Sequence, residues 1–414
     1  MAVLKSLTCI RPKPELAGQI ASGPHSAMSS EEIRQKIKQN PISYTRIVHP
    51  KFLYAERPKN IDEVYIRAAE NLEEWIRDGI MIDDEEPAFY LYRMEYQEHR
   101  QAGIVCRIPV DEILNHTVKA HERVRENKLA DLAHHVELCR AQIGGPILMT
   151  YRHREEITAW EEKIEGGEPL YHFYSENHVW TTIWKISDEK EIRCVEELTA
   201  KIPSLYIADG HHRIMSAVKI CQDMRRKHPD YTGQEAWNYV TCVCFPDDQL
   251  KILPYSRIVT VTEDGGIEEL LDQLTENFEV IPEEEIHAPE ERGCFTMIYG
   301  KQAWTLRLKE DRRPKEVPES LDVSVLQSLV LQPLLGINND KKDSRLEFMG
   351  GEEQIHKVTV RCQHGGHLGF LLYPTQMEEI LQVADRSAVM PPKSTWFSPK
   401  MCNGLFIYRI FPKE

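Results

Sequence analysis

The stretch Tyr206-Ile207-Ala208-Asp209-Gly210-His211-His212-Arg213 decides the reading of this chain. Ser204 to Ala208 is apolar, aromatic and β-branched, which predicts a buried strand. Ile214, Ala217, Val218, Cys221 and Met224 then recur at helical spacing. The polar run therefore falls at a strand-to-helix junction. Such a junction aims backbone N–H groups and the positive end of the helix outward, which favours an anion. Asp209 is placed to cap the helix, and Gly210 allows a sharp turn or a close ligand approach. His211, His212 and Arg213 crowd donors into the same spot, and an arginine grips phosphate oxygens with two parallel hydrogen bonds. Taken singly, these residues describe a capped helix with surface side chains. Gathered at one turn, they describe an anion site. A zinc site is the weaker reading, because adjacent histidines on a helix diverge and HxxxH spacing is absent here.

Upstream, Ser29-Ser30-Glu31-Glu32-Ile33 offers a cap followed by early acids, within a helix signal spanning Ala21 to Asn40 that Asn40-Pro41 ends. Asn60 to Gly79 reads as a second helix on Val64, Ala68, Leu72 and Ile76. Ala88–Met94 and Gly103–Ile108 read as partner strands. The pattern turns helical from Val110, with an amphipathic segment at Leu129–Leu138. Gly144-Gly145-Pro146 stops it, and Ile147–Tyr151 is a strand. Residues 152–200 are polar and mixed, apart from a strand-like run at Val179–Trp184. Downstream, Glu263-Asp264-Gly265-Gly266 reads as a linker, Phe295–Leu308 as a hairpin around Gly300-Lys301-Gln302, and Asp322–Leu335 as an apolar helix. These signals predict a mixed α/β chain divided near residue 260, into 1–260 and 261–414. Gly350-Gly351 and Gly365-Gly366 are turn signals, and no glycine-rich nucleotide loop appears.

At 414 residues, the chain is long enough for two or three domains. Acidic residues outnumber basic ones 66 to 51, a net charge of −15, which argues against a nucleic-acid backbone binder. Apolar runs such as Leu368 to Tyr373 fall far short of the ~20 residues of a membrane helix, and the N-terminus lacks an apolar signal core. The ten cysteines include no CxxC, a pattern expected of reduced thiols in a cytoplasm. Cys242 and Cys244 would share one face of a strand. A metal pair is conceivable there, and two core-facing thiols are the plainer reading.

Asp-Gly-His-His-Arg after an apolar strand resembles the hallmark of ParB/sulfiredoxin-like free-serine kinases. Val110-Asp111-Glu112-Ile113, His121-Glu122-Arg123-Val124, Leu132 and Pro146-Ile147 are similar to the segment that precedes that motif, where a His-Glu pair opens a helix. A late segment, Met390-Pro391-Pro392-Lys393-Ser394-Thr395-Trp396-Phe397-Ser398-Pro399-Lys400, looks like the second hallmark of a long bacterial and protist family understood to be pyrophosphate-dependent serine kinases. The chain departs from the compact, nucleotide-using relatives by an insertion between Ile147 and Leu205 and by an added C-terminal α+β domain.

The resemblance implies a ParB/sulfiredoxin-like catalytic core, L-serine and pyrophosphate as substrates, and magnesium as cofactor. It assigns the general base to Glu122, beside His121, and a magnesium-binding or hydroxyl-polarising role to Asp209. His211, His212 and Arg213 would hold the transferring phosphate. Lys393, Ser394, Thr395 and Lys400 offer charges and hydroxyls to donor oxygens. Flanking Trp396, Phe397 and Pro399 argue for a packed segment, which the C-terminal part would fold back to deliver. Arg257 is a further candidate for substrate binding. His178 before a tryptophan-rich strand is a candidate for lining the pocket, with a satisfied core or surface histidine as the plainer reading. The charged turn Asp340-Lys341-Lys342-Asp343 with Arg345 reads more plainly as a solvated loop than as a border of the site. The alternatives are an ATP- or ADP-dependent serine kinase, a ParB-like nucleotide- or DNA-binding protein, and a non-catalytic anion sensor.

Overall fold

The computed structural model describes residues 1–23, 28–54, 56, 58–261, 266–338 and 343–411. The linker expected at Glu263–Gly265 and the turn residues Asp340, Lys341 and Lys342 lie outside them. The chain is a mixed α+β protein that divides into two units. One holds residues 1–119, 123–250 and 399–414, and the other holds 120–122 and 251–398. The units thus part at Leu250/Lys251 rather than near residue 260, and the last sixteen residues belong with the first unit.

The first unit is built on a mixed eight-stranded sheet. In chain order its strands are β1 (Phe89–Tyr96), β2 (His99–Pro109), β3 (Val118–Lys119), β4 (Ile147–Tyr151), β5 (Tyr171–Tyr174), β6 (Trp180–Ile186), β7 (Leu205–Asp209) and β8 (Tyr239–Pro246). Their spatial order is β3-β7-β4-β8-β2-β1-β6-β5. The β1–β2 hairpin is the pair expected from sequence, with Tyr90 opposite Val105. β7 runs parallel to β3 and antiparallel to β4, and β8 runs parallel to β4. Strands β4, β7 and β8 are almost wholly buried, which explains their continuous apolar runs.

Two early helices form as their caps dictate. In α1 (Ser30–Gln39), Ser29 and Glu32 make a reciprocal capping box. In α2 (Ile61–Arg77), the Asn60 side chain accepts from Asp62 N–H. The helical pattern after Val110 yields only one turn, Asp111–Leu114, and helix α3 begins later, at Glu126–Cys139. Residues 152–200 hold two helices that the sequence reading passed over, α4 (Glu155–Glu165) and α5 (Glu189–Thr199). They bury Ile157, Trp160 and Glu161 on α4 and Val195 and Thr199 on α5, with Ile164, Ile192 and Leu198 packed against the same core. Helix α6 (His211–Lys227) follows β7 directly.

Cys106 on β2 stands opposite Cys242 on β8, and Cys244 lies two residues along the same face. Their sulfurs are 3.4 to 3.9 Å apart within the main apolar core. The pair singled out in the sequence is therefore part of a trio.

In the second unit, six antiparallel strands run in the spatial order β10-β12-β11-β14-β9-β13. They are β9 (Tyr255–Thr260), β10 (Phe278–Glu283), β11 (Cys294–Tyr299), β12 (Gln302–Leu308), β13 (Leu346–Gly350) and β14 (His367–Leu372). The β11–β12 hairpin is the expected one. The apolar helix expected over Asp322–Leu335 is a short α-helix, Asp322–Leu326, continued by a π turn through Leu331. Helix Gln354–Cys362 sets Val358 and Cys362 against Ile258, Ile298 and Leu371. Among the described residues, no helix is long and apolar enough to cross a membrane.

Candidate active site

In the first unit the site forms where β7 meets α6. Pairing between β7 and β4 slips by one residue after Ile207, so that Asp209 rather than Ala208 faces Leu148. Such a bulge re-aims the side chain that follows it. Gly210 then takes φ +105°, and α6 begins at His211. Gly210 rather than Asp209 holds the capping position, and no side chain caps this helix. The expected capping role of Asp209 is thereby replaced. Its carboxylate meets Lys400 instead, with Nζ donating to Oδ2 at 2.5 Å.

That pair lies at the surface of the site, with the Asp209 side chain 44% exposed and the Lys400 side chain 22%. Partial burial pushes the Asp209 carboxyl up. The charges of Lys400 and Arg213, the Lys400 hydrogen bond and His211 outweigh that push, and the group is held well below the usual carboxylate range. Asp209 is ionised at neutral pH as a result.

Arg213 does something the motif alone does not reveal. Its Nη1 donates to the carbonyls of Gly144, Gly145 and Pro146, at 3.0, 2.5 and 3.2 Å. One edge of the guanidinium is therefore spent on clamping the turn that leads into β4. The double glycine fits this contact: a Cβ on Gly144 would stand 3.2 Å from the Arg213 Cδ, and one on Gly145 2.7 Å from the Asn403 side-chain oxygen. In the sequence that dipeptide read only as a helix stop. His212 accepts through Nε2 from the Arg125 backbone N–H at 3.1 Å, tying the start of α3 to the first turn of α6. His211 is buried. Behind Arg213 lies a cavity of about 70 Å³ lined partly by Ile147, Ser216 and Phe406, with room for a few waters and not for a substrate.

The remaining candidates belong to the second unit. His121 and Glu122 lie in irregular chain ahead of α3 and do not open the helix. His121 is buried, Glu122 is half-buried, and the His121 carbonyl accepts from Met390 N–H at 2.9 Å. Arg257 on β9 is buried, not a surface residue. It donates to the carbonyls of Tyr255 and Pro392 and lies over the Phe348 ring at 4.6 Å. Lys393 adopts a left-handed backbone, φ +58°, and its Nζ reaches the Tyr255 hydroxyl at 3.3 Å. The buried Ser394 hydroxyl donates to the Pro391 carbonyl, so it shapes the turn. Thr395 is half-buried just before the short strand Trp396–Ser398, which pairs with Lys251–Leu253. The unit thus gathers His121, Arg257 and Lys393 around the Met390–Ser394 loop. Tyr255, which the sequence reading did not select, is that loop's contact for Lys393.

His178 stays an exposed turn residue between β5 and β6. Arg345 pairs with Asp343 and donates to the carbonyls of Leu335 and Gly336, as a surface turn does. The only group of three or more metal-ligating side chains among the described residues is Cys106, Cys242 and Cys244, so no such group surrounds Asp209.

A protein-family profile described as "Protein of unknown function (DUF1015)" matches residues 4–324, which include Glu122 and the Asp209 motif and end before Met390. No curated protein matches the chain. Among solved structures, a free serine kinase in complex with AMP shares 15% identity at a TM-score of 0.35, over 73% of this chain and 91% of that one. SbnI with a C-terminal truncation, from Staphylococcus aureus, shares 15% identity at a TM-score of 0.39, over 73% of this chain and 87% of that one. A conserved hypothetical protein from Pyrococcus furiosus shares 16% at 0.35, over 74% of this chain and 97% of that one.

Proposed function

The chain belongs to the family described as "Protein of unknown function (DUF1015)", and we propose that this member is a phosphotransferase. Its reaction converts free L-serine to O-phospho-L-serine, with pyrophosphate as the phosphoryl donor and magnesium as cofactor. The observation that carries the proposal is the 2.5 Å contact of Lys400 with Asp209. These residues close the late segment and open the central motif, 191 positions apart. Two stretches that resemble the hallmarks of one kinase family supply the two halves of one charged pair.

The chemistry requires a base, a phosphate cradle and charge neutralisation. The serine hydroxyl oxygen attacks the terminal phosphorus of pyrophosphate. The bond from that phosphorus to the bridging oxygen breaks, inorganic phosphate leaves, and the hydroxyl proton passes to the Glu122 carboxylate. The positive end of α6, opened by the Gly210 turn, and Lys400 receive phosphate charge. Arg213 keeps the Gly144–Pro146 turn in place and lends its positive charge to the Asp209 surroundings. Lys393 is assigned to the donor on the same resemblance, and Arg257, a candidate from its own sequence context, is assigned to substrate or phosphate binding.

Magnesium fits the residues present to a limited degree. Asp209 offers one ionised, half-exposed carboxylate, and such an ion keeps water and takes one or two carboxylates plus phosphate oxygens. When bound, it would neutralise charge on those oxygens.

The test is ³¹P NMR of the protein with L-serine, pyrophosphate and magnesium, with ATP in a parallel tube. A phosphoserine signal with pyrophosphate alone is the expected result. A signal only with ATP moves the protein to the nucleotide-dependent alternative, and silence in both tubes ends the serine-kinase reading.

A further inference from the structure

Away from Asp209, the first unit carries an open groove of about 670 Å³ between α1, the turn Thr45–Val48, Pro50–Leu53 and α2. That is the size of a small-molecule site. Four cations line it: Arg34, Lys38, Arg46 and Arg67. Glu31 is the one carboxylate in the lining, 3.9 Å from Arg34. Arg67 also has Glu70 and Glu74 beside it, at 3.0 and 3.4 Å. Among the described residues, neither Arg46 nor Lys38 has a carboxylate within ion-pair distance. The Arg34 Nε is buried without a hydrogen-bond partner.

This arrangement is costly in the bare protein. The chain has a net charge of −15, with acids to spare, yet the groove collects like charges. Burial and the neighbouring Arg67 both draw the Arg46 guanidinium below its ordinary range. Repulsion of this kind is relieved when a multivalent anion enters, because each of its charges meets a cation already in place. Phe52 adds a ring to the wall, with the Arg34 guanidinium 5.8 Å from its centre.

We propose that this groove is a second anion site, taking a small molecule with two or more phosphate groups. Arg46 and Lys38 are its main contacts. The ligand has two possible sources, an inorganic oligophosphate or a nucleoside diphosphate, and both share the phosphate chemistry.

The test is calorimetric titration of the full chain with sodium tripolyphosphate and, separately, with ADP. It is run in the Lys400→Met background, so that anion binding at the Asp209 site does not enter. At least one probe is expected to bind, with affinity falling as salt rises. Arg46→Gln and Lys38→Gln are each expected to weaken it tenfold or more, while serine phosphorylation in the otherwise wild-type chain stays unchanged. Because Lys38 is exposed, its variant guards against a folding artefact. Tighter ADP binding that Phe52→Leu abolishes identifies the nucleotide. Equal binding of both probes identifies the inorganic anion. No binding of either probe, or binding indifferent to both substitutions, overturns the proposal, whatever becomes of the kinase reading.

Discussion

Replacing Gly210 by alanine probes the turn on which the site depends. At φ +105° and ψ 20°, a residue with a Cβ pays about 1–2 kcal/mol for the left-handed backbone. The new Cβ would also stand 3.1 Å from the Arg213 Nη2 and from the Ile147 Cδ1. Ile147 can shift. Arg213 is held by three carbonyls and can yield only by loosening the Gly144–Pro146 turn. We assign that about 1 kcal/mol more, typical of mild overpacking. The sum of about 2–3 kcal/mol corresponds to a fall in Tm of about 5–10 °C for a unit this large. Gly233→Ala is the internal control: φ there is +85°, with nothing within 4 Å of an added Cβ, so only the backbone cost applies. Calorimetry gives the two Tm values, and ³¹P NMR gives turnover. Gly210→Ala should melt below Gly233→Ala and lose phosphoserine formation, whereas Gly233→Ala should keep it. Equal melting temperatures together with full turnover in Gly210→Ala would refute the strained turn as the organiser of the site.

Lys400→Met should change stability by about 1 kcal/mol or less, because the pair is partly exposed, yet it should cut pyrophosphate turnover sharply. The Asp209 carboxyl is depressed in the folded state, so the pair stabilises fully above the unfolded carboxyl pKa of about 3.9 and is lost as pH falls further. The Tm gap between wild type and Lys400→Met should therefore close in acid, and a gap that persists there argues against the ion pair. Glu122→Gln should abolish phosphoserine formation while pyrophosphate binding, read by calorimetry, stays intact; retained turnover removes Glu122 as the base. Glu161 on α4 is buried with neither side-chain oxygen hydrogen-bonded, and burial pushes its carboxyl up to about 8. Its native form holds the proton more tightly than the unfolded chain does, so stability is full below the unfolded value and declines as pH rises towards 8. Glu161→Gln should flatten that decline in a Tm–pH series, and an unchanged slope would mean that the carboxyl titrates normally.

Much of the local architecture was legible because its causes are local. Ser29 and Glu32 lie three residues apart, and their box forms whatever the rest of the chain does. The apolar runs of β4 and β7 mark strands that are almost wholly buried. Ala208 to Arg213 is a strand, a turn and a helix because glycine alone tolerates φ +105° at that junction. Helices α4 and α5 do carry a helical spacing, Ile157, Trp160 and Ile164 in one and Ile192, Val195 and Leu198 in the other, but each stripe is short and set among charged residues, so the segment reads as polar and mixed. The short turn after Val110 was over-read for the opposite reason, as its apolar residues join strand and loop rather than one long helix.

Within the site, residue types were set by the sequence and partners by the fold. Asp209, Arg213 and Lys400 were identifiable as charged residues in specific motifs. Nothing local could say that Lys400 would neutralise Asp209 across 191 positions, or that Arg213 would turn an edge to three carbonyls before β4. A cap or a periodic stripe is decided within one or two turns of chain. An ion pair or a clamped turn is decided by which strands lie side by side, and here that follows from the order β3-β7-β4-β8 and the return of residues 399–414 to the first unit.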